Sequence, residues 1–232
     1  MNIALLGYGK MGKTIEKLAL EKGYAIVARI TSAEDLKDLQ IADVAIDFSV
    51  PEAAVENISA CFELGIPVVS GTTGWLKDYE KVLKLCQSCN GSFIYASNFS
   101  IGVNLFFELN RKLAEMMAKH KDYTVTIEEI HHTQKLDAPS GTAISLANDI
   151  IDKTRYKNWK LDAASANDIA INALRIEDVK GTHTVSYTSP IDTLSIKHEA
   201  HSREGFAMGA LLAAAWLKDK KGVYSMKDVL SL

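Results

Sequence analysis

The stretch Asn2-Ile3-Ala4-Leu5-Leu6-Gly7-Tyr8-Gly9-Lys10-Met11-Gly12 runs a short apolar segment straight into a Gly-x-Gly-x-x-Gly loop. The apolar part reads as a buried strand, and an amphipathic pattern over residues 13–21 predicts a helix after it. The glycines therefore fall at a strand-to-helix turn. Gly7 permits the tight bend, Gly9 lets a pyrophosphate approach the backbone, and Gly12 lets helix and strand pack closely. Tyr8, Lys10 and Met11 complete the candidate nucleotide loop. The alternative is a turn whose glycines serve only the backbone.

Working outward, residues 25–29, 44–48, 67–69 and 93–96 read as short buried strands, and residues 51–64 and 77–87 as helices. This alternation predicts a parallel sheet wrapped by helices. The second strand ends Ala28-Arg29-Ile30-Thr31-Ser32, with no acid before Glu34. A carboxylate there ordinarily holds the adenosine ribose. Without one, repulsion against a 2′-phosphate is absent, and Arg29, Thr31 and Ser32 can contact it. NADPH is thus expected at least as readily as NADH. Glu34 can still reach back, and Arg29 reads equally as a surface residue with no ligand. Gly71-Thr72-Thr73-Gly74 and Ser97-Asn98-Phe99-Ser100 each follow a strand, where ligands bind in such sheets, so Gly71, Thr72, Thr73, Ser97, Asn98 and Phe99 are further cofactor candidates.

After a long amphipathic helix over residues 105–119 the texture changes. Residues 124–129, 183–189 and 193–198 alternate with period two, which predicts an open mixed or antiparallel sheet covered on one face. Residues 155–172 are polar and irregular and read as a mobile surface connection. Helical periodicity returns from Gly205, with Ala207, Ala210, Leu211, Ala214 and Leu217 on one stripe. The expected fold is α/β. A Rossmann-like parallel-sheet dinucleotide domain spans 1–100 and 204–232, and an inserted α+β substrate and oligomerisation domain, built on an open mixed sheet, spans 101–203.

Chemistry concentrates in His131-His132-Thr133-Gln134-Lys135-Leu136-Asp137-Ala138-Pro139-Ser140-Gly141-Thr142-Ala143. Ser140 can cap the helix that begins there, leaving backbone N–H groups beside Lys135. A helix N-terminus next to a cation is an anion site, and a neighbouring His can donate a proton to the molecule carrying that anion. A capped helix after a polar loop accounts for Ser140 and Gly141, but not for His131, His132 and Lys135 together.

The 232 residues carry a net charge of −3, with 47% apolar and 24% charged side chains, as in an ordinary globular chain. That charge argues against nucleic acid as a partner, and no apolar run reaches the ~20 residues of a membrane span. With a strand starting at Asn2, the reading expects no signal peptide and a cytoplasmic protein. Three cysteines make no disulfide framework. Cys86-x-x-Cys89 has no second pair or nearby His to complete a metal site, so no metal is expected.

Together these motifs resemble the dihydrodipicolinate reductase family along the whole chain. The resemblance rests on Gly7–Gly12 read with Asp47-Phe48-Ser49, Gly71-Thr72-Thr73-Gly74, Asn98-Phe99-Ser100-Ile101-Gly102-Val103-Asn104, the 131–143 segment and Ser202-Arg203-Glu204-Gly205-Phe206-Ala207. It implies reduction of a cyclic imine dicarboxylate to tetrahydrodipicolinate by NADH or NADPH, in lysine and diaminopimelate biosynthesis. By position, His131 matches the family's proton donor and Lys135 its catalytic cation. His132, Ser140, Gly141 and Thr142 match residues that hold substrate, and the family is generally a homotetramer assembled through the second domain's sheet. The chain departs from the family in a glycine loop one residue shorter, and in Arg175-Ile176-Glu177-Asp178, which lacks a Gly two residues after the Arg. Arg203 either contacts substrate or cofactor or makes a structural ion pair. Two rivals use the same residues differently. A non-catalytic nucleotide sensor needs only the glycine loop, and a metal-dependent hydrolase would draw on His131, His132, His183, His198 or His201 with Glu199 or Asp137.

Overall fold

The structure is a computed structural model that describes residues 1–162, 165–202 and 204–232, with backbone alone at 33–35. The chain divides into two compact units, Met1–Ile101 with Glu204–Leu232, and Gly102–Arg203. In the first, β1 (Asn2–Leu6), α1 (Lys10–Glu21), β2 (Ala25–Ile30), β3 (Val44–Asp47), α2 (Pro51–Glu63), β4 (Val68–Ser70), α3 (Tyr79–Ser88) and β5 (Ser92–Tyr95) alternate as the apolar runs predict. The strands are buried on both faces because successive side chains point to opposite sides. Ile3, Leu5, Val44 and Ile46 join one core, while Ala4, Leu6 and Ala45 join another.

α4 (Ile101–Met117), β6 (Thr124–His131), α5 (Gly141–Ile151), β7 (Asn158–Leu161), β8 (Asp168–Arg175), β9 (Thr182–Thr188) and β10 (Thr193–Glu199) follow. Apart from the first residue of α4, they form the second unit. The chain then returns to the first through α6 (Glu204–Leu217), β11 (Gly222–Tyr224) and α7 (Met226–Leu230). The first sheet has the order β11-β5-β4-β3-β1-β2, with every pairing parallel. Its strand order reverses between β1 and β3, the place where such sheets take their ligand. α6 is apolar on nearly every side and lies close under the turn after β5. A Cβ at Gly209 would stand 1.8 Å from the Phe99 carbonyl oxygen, so only glycine lets the helix approach this far.

The second sheet is mixed, in the order β10-β9-β6-β8-β7. Val125, Ile127, Ile169, Ile171, Val185 and Tyr187 pack with α4 and α5 on one face. Thr124, Thr126 and Glu128 of β6 stay exposed on the other.

Three features differ from the sequence reading. Residues 155–172 hold β7 and the start of β8 rather than an irregular connection. Ile169 and Ile171 alternate into the core, while the edge strand β7 is only four residues long and largely exposed, which hides it in the sequence. Beyond α6, β11 pairs with β5 and a Ser225–Asp228 capping box starts α7. Residues 33–41 form 3-10 turns. The Glu34 side chain and Arg203 lie outside the described residues.

Candidate active site

In the first unit the candidate cofactor residues gather at the carboxyl edge of the sheet. Gly7 takes φ +87, and a Cβ there would lie 2.4 Å from the Phe48 carbonyl oxygen. A Cβ on Gly12 would lie 2.5 Å from the Gly7 carbonyl oxygen, whereas one on Gly9 meets no described atom within 4 Å. The first and third glycines are thus demanded by packing, and the middle one opens outward. Gly9 caps α1 without a side-chain hydrogen bond, and no acid occupies the first turn. Helix N–H groups with open space before them fit a pyrophosphate.

Phe48, noted in sequence only as part of the resemblance, ties the loops together. Its carbonyl meets Gly7, its ring fills the space a Gly71 side chain would need, and its ring centroid lies 5.9 Å from that of Phe99. Phe99 is itself 1% exposed, so its ring supports the loop from beneath. Thr72 likewise turns inward and accepts the Ser49 N–H at 2.9 Å, while Thr73 and Ser97 are exposed and Asn98 accepts the Ser100 N–H. Beneath them, burial pushes the Asp47 carboxyl up in pKa, and the hydroxyls of Ser49 and Ser70 donate to it at 2.6 and 2.7 Å. Arg29 at the end of β2 is not free. It pairs with Glu16 of α1 and lies 5.6 Å from the Tyr8 ring centre, while the Tyr8 hydroxyl donates to Glu16. Lys10 is exposed and Met11 half-buried.

In the second unit, β6 carries Glu129 and His131 two residues apart, hence on the same, covered face of the sheet. Strand register brings two more side chains to that face. Glu129 is opposite His183 of β9, and His131 is opposite Arg175 of β8. Glu129 is fully buried, with one carboxylate oxygen against His131 Nδ1. The other accepts from Arg175 at 3.0 Å and from the Ser140 N–H at 3.2 Å. Burial works against the carboxylate charge, but hydrogen bonds from His131 and Arg175 outweigh it and hold its pKa down at about 2. His183 goes the other way: burial and then the nearby His131 push it down to about 3, so it stays neutral. Its Nε2 lies 2.9 Å from the Ser140 hydroxyl, and its ring centre 5.1 Å from that of His131.

The Ser140 hydroxyl also accepts the Ala143 N–H at 3.2 Å, which makes it the cap of α5. Ser140 is buried, Gly141 exposed and Thr142 half-buried, so the anion-facing part of the turn is the backbone of Gly141 and Thr142. Lys135 is held by both Asp137 carboxylate oxygens at 2.8 Å, and Arg175 grips the Lys135 and Asp137 carbonyls. His132, just past β6, borders a cavity of about 420 Å³ with Lys180, His201 and Ser202. Among the described residues, Glu129, His131 and His183 bring ligand-type atoms within 4.8 Å of one another. The N–H donors on Glu129 and the Ser140 hydroxyl on His183 make this a hydrogen-bonded cluster. The sequence reading passed over Glu129, named Arg175 only for the departure that follows it and treated His183 only as a possible metal ligand. The Glu-x-His spacing on an alternating strand was the one available signal for Glu129.

A Gly-rich turn at the carboxyl edge of a parallel, doubly wound sheet, in one chain with a second unit that carries His131, Lys135 and the Ser140 cap of α5, is the make-up of an NAD(P)H-dependent oxidoreductase. Residues 1–99 match the family described as dihydrodipicolinate reductase, N-terminus, and residues 102–230 its C-terminus, so the chain belongs to the dihydrodipicolinate reductase family. It is 58% identical to a 4-hydroxy-tetrahydrodipicolinate reductase of Christiangramia forsetii, over 100% of this chain and 98% of that one. A Rickettsia bellii protein of the same name is 38% identical over 98% and 94%. A dipicolinate-bound dihydrodipicolinate reductase from Paenisporosarcina sp. TG-14 shares the fold at a TM-score of 0.79, with 22% identity and 97% of each chain covered. An amine dehydrogenase from Mycobacterium smegmatis shares it more distantly, at a TM-score of 0.63 and 11% identity over 97% and 95%.

Proposed function

We propose that this protein reduces 4-hydroxy-tetrahydrodipicolinate, a cyclic imine dicarboxylate, to tetrahydrodipicolinate in lysine and diaminopimelate biosynthesis. The observation that carries the reading is that His131, the Lys135 loop and the capped Ser140–Thr142 turn are tied together through Glu129 and Arg175, in a chain 58% identical throughout to a reductase of that name. A sensor needs no such cluster, and a hydrolase does not account for the glycine turn.

Bound nicotinamide supplies the hydride, and residues 1–100 with 204–232 are assigned to holding it. Gly7, Tyr8, Gly9, Lys10, Met11 and Gly12 surround the pyrophosphate. Thr73, Ser97 and Asn98 offer polar groups at the strand ends, backed by Gly71, Thr72 and Phe99. Residues 101–203 are assigned to substrate and assembly. The Gly141 and Thr142 N–H groups, with the positive end of the α5 dipole, hold one substrate carboxylate and fix the ring's angle. His132 lines the recess for the remainder. Reduction of the conjugated imine places electron density on the ring, which Lys135 meets as a cation and His131 meets by giving up the Nε2 proton. Lys135 exchanges its exposed partner Asp137 for the substrate at little cost, because an exposed pair is worth only ~0–1 kcal/mol.

NADPH serves beside NADH, supported by the sequence Arg29-Ile30-Thr31-Ser32, which carries no acid before Glu34, and by Arg29, whose guanidinium Glu16 of α1 holds. A cytoplasmic homotetramer assembled through the open face of the second sheet completes the reading, supported by the exposed row of β6. Among the described residues no helix is long and apolar enough to cross a membrane. The test follows nucleotide absorbance after adding enzymatically generated 4-hydroxy-tetrahydrodipicolinate, with NADPH and NADH in parallel. Substrate-dependent oxidation of both supports the reading, and none with either refutes it.

A further inference from the structure

We propose that Glu129 is a positioning residue for the reduction: one buried carboxylate fixes the proton donor, the carboxylate-gripping turn and the Lys135 loop in a single register. The inference rests on the reductase reading and deepens it. One Glu129 oxygen receives His131 Nδ1, and the other receives the Ser140 N–H at 3.2 Å and Arg175 at 3.0 Å. Arg175 in turn binds the carbonyls of Lys135 at 3.3 Å and Asp137 at 2.6 Å. Three elements with no hydrogen-bond ladder among them thus meet on one side chain: the end of β6, the cap of α5 and the loop carrying the cation.

With Nδ1–H committed to Glu129, the His131 nitrogen left for transfer is Nε2. That atom faces Gly181, where φ is +149 and an added Cβ would come within 3.2 Å. The contact with Glu129 holds the ring in one orientation and fixes the tautomer left once the proton has gone. The groups against or opposite His131 are Glu129 on its own strand, Arg175 on β8 and His183 on β9, and the following loop is tied to Arg175 through the Lys135 carbonyl. The buried carboxylate thus has His131 against one oxygen and the Ser140 N–H and Arg175 on the other, each from a different element.

The test compares Glu129→Gln, nearly the same shape without the charge, with the wild type. The kcat should fall about 10- to 100-fold, part of the ~10²–10⁴ that a positioned general acid supplies. The alkaline limb of its pH profile should move to lower pH by about one unit. Imidazole NMR of His131, recorded without substrate or nucleotide, should move in the same direction. If Glu129→Gln fails to fold, Arg175→Gln removes the opposing charge from the same carboxylate and should move the His131 titration to higher pH. A pH-independent loss of kcat with an unmoved His131 titration overturns the proposal. A wild type that oxidises no nucleotide overturns the reductase reading instead, and the NMR titration still decides the link between Glu129 and His131.

Discussion

Glu129 and His183 stand directly opposite each other in the antiparallel pairing of β6 with β9, and their environments drive them to different charges. The carboxyl, held down at about 2, is an anion, while the imidazole, pushed down to about 3, is neutral. Arg175 already answers the Glu129 charge, and burial leaves a proton on His183 without solvent to stabilise it. The sheet register therefore sets protonation states as well as positions.

This pairing makes stability sensitive to acid. Burial pushes His183 down from the usual imidazole value of 6.5 to about 3 in the folded chain, so the unfolded chain takes up the proton first as pH falls. Its contribution is complete above pH 6.5 and is lost between there and about pH 3, by at most ~1.4 kcal/mol per pH unit. Glu129 adds a second loss between 4.5 and about 2. Urea midpoints should fall from pH 7 to pH 5, and His183→Gln should flatten that slope. Equal midpoints at pH 7 and pH 5 contradict the account.

Cofactor choice should respond to Glu16. It ties down Arg29, the cation nearest to where β2 ends, and the Arg29 side chain is otherwise 44% exposed. Glu16→Gln releases the guanidinium and should lower the KM for NADPH about threefold, with little change for NADH. Arg29→Ala should raise the NADPH KM on the order of tenfold, the loss of one charge-assisted phosphate contact. Steady-state kinetics with both nucleotides read the two variants. Parallel changes for NADH and NADPH would remove Arg29 from phosphate recognition.

Space beside His131 is kept by Gly181. An alanine there is strained at φ +149 and would press its methyl group against Nε2. Gly181→Ala should cut kcat about tenfold while circular dichroism stays that of the wild type. Unchanged turnover would show that the proton leaves from elsewhere.

The first unit was legible because its fold depends on local signals. Apolar runs, a glycine loop and helical periodicity each act within about fifteen residues, and they locate the strand ends where ligands bind. β7 escaped because the alternation Asn158-Trp159-Lys160-Leu161 lasts only four residues, too short to stand out from a polar surrounding. β8 escaped because Asp168, Ala170 and Asn172 dilute the pattern of Ile169 and Ile171. In the site, His131, Lys135 and the Ser140 cap lie on one continuous segment and could be read directly. Arg175 and His183 arrive from strands some fifty residues away, and only the register of β6 with β8 and β9 makes them neighbours. Glu129 shares a face with His131 by simple alternation, yet its three donors become visible only in the folded chain.

The account turns on His131 giving a proton during reduction, so its most direct measurement is the steady-state behaviour of His131→Ala with 4-hydroxy-tetrahydrodipicolinate. A group acting mainly in the transition state predicts a kcat about 10²- to 10⁴-fold lower, with a KM changed far less. Wild-type turnover in that variant, or a loss confined to KM, would contradict it.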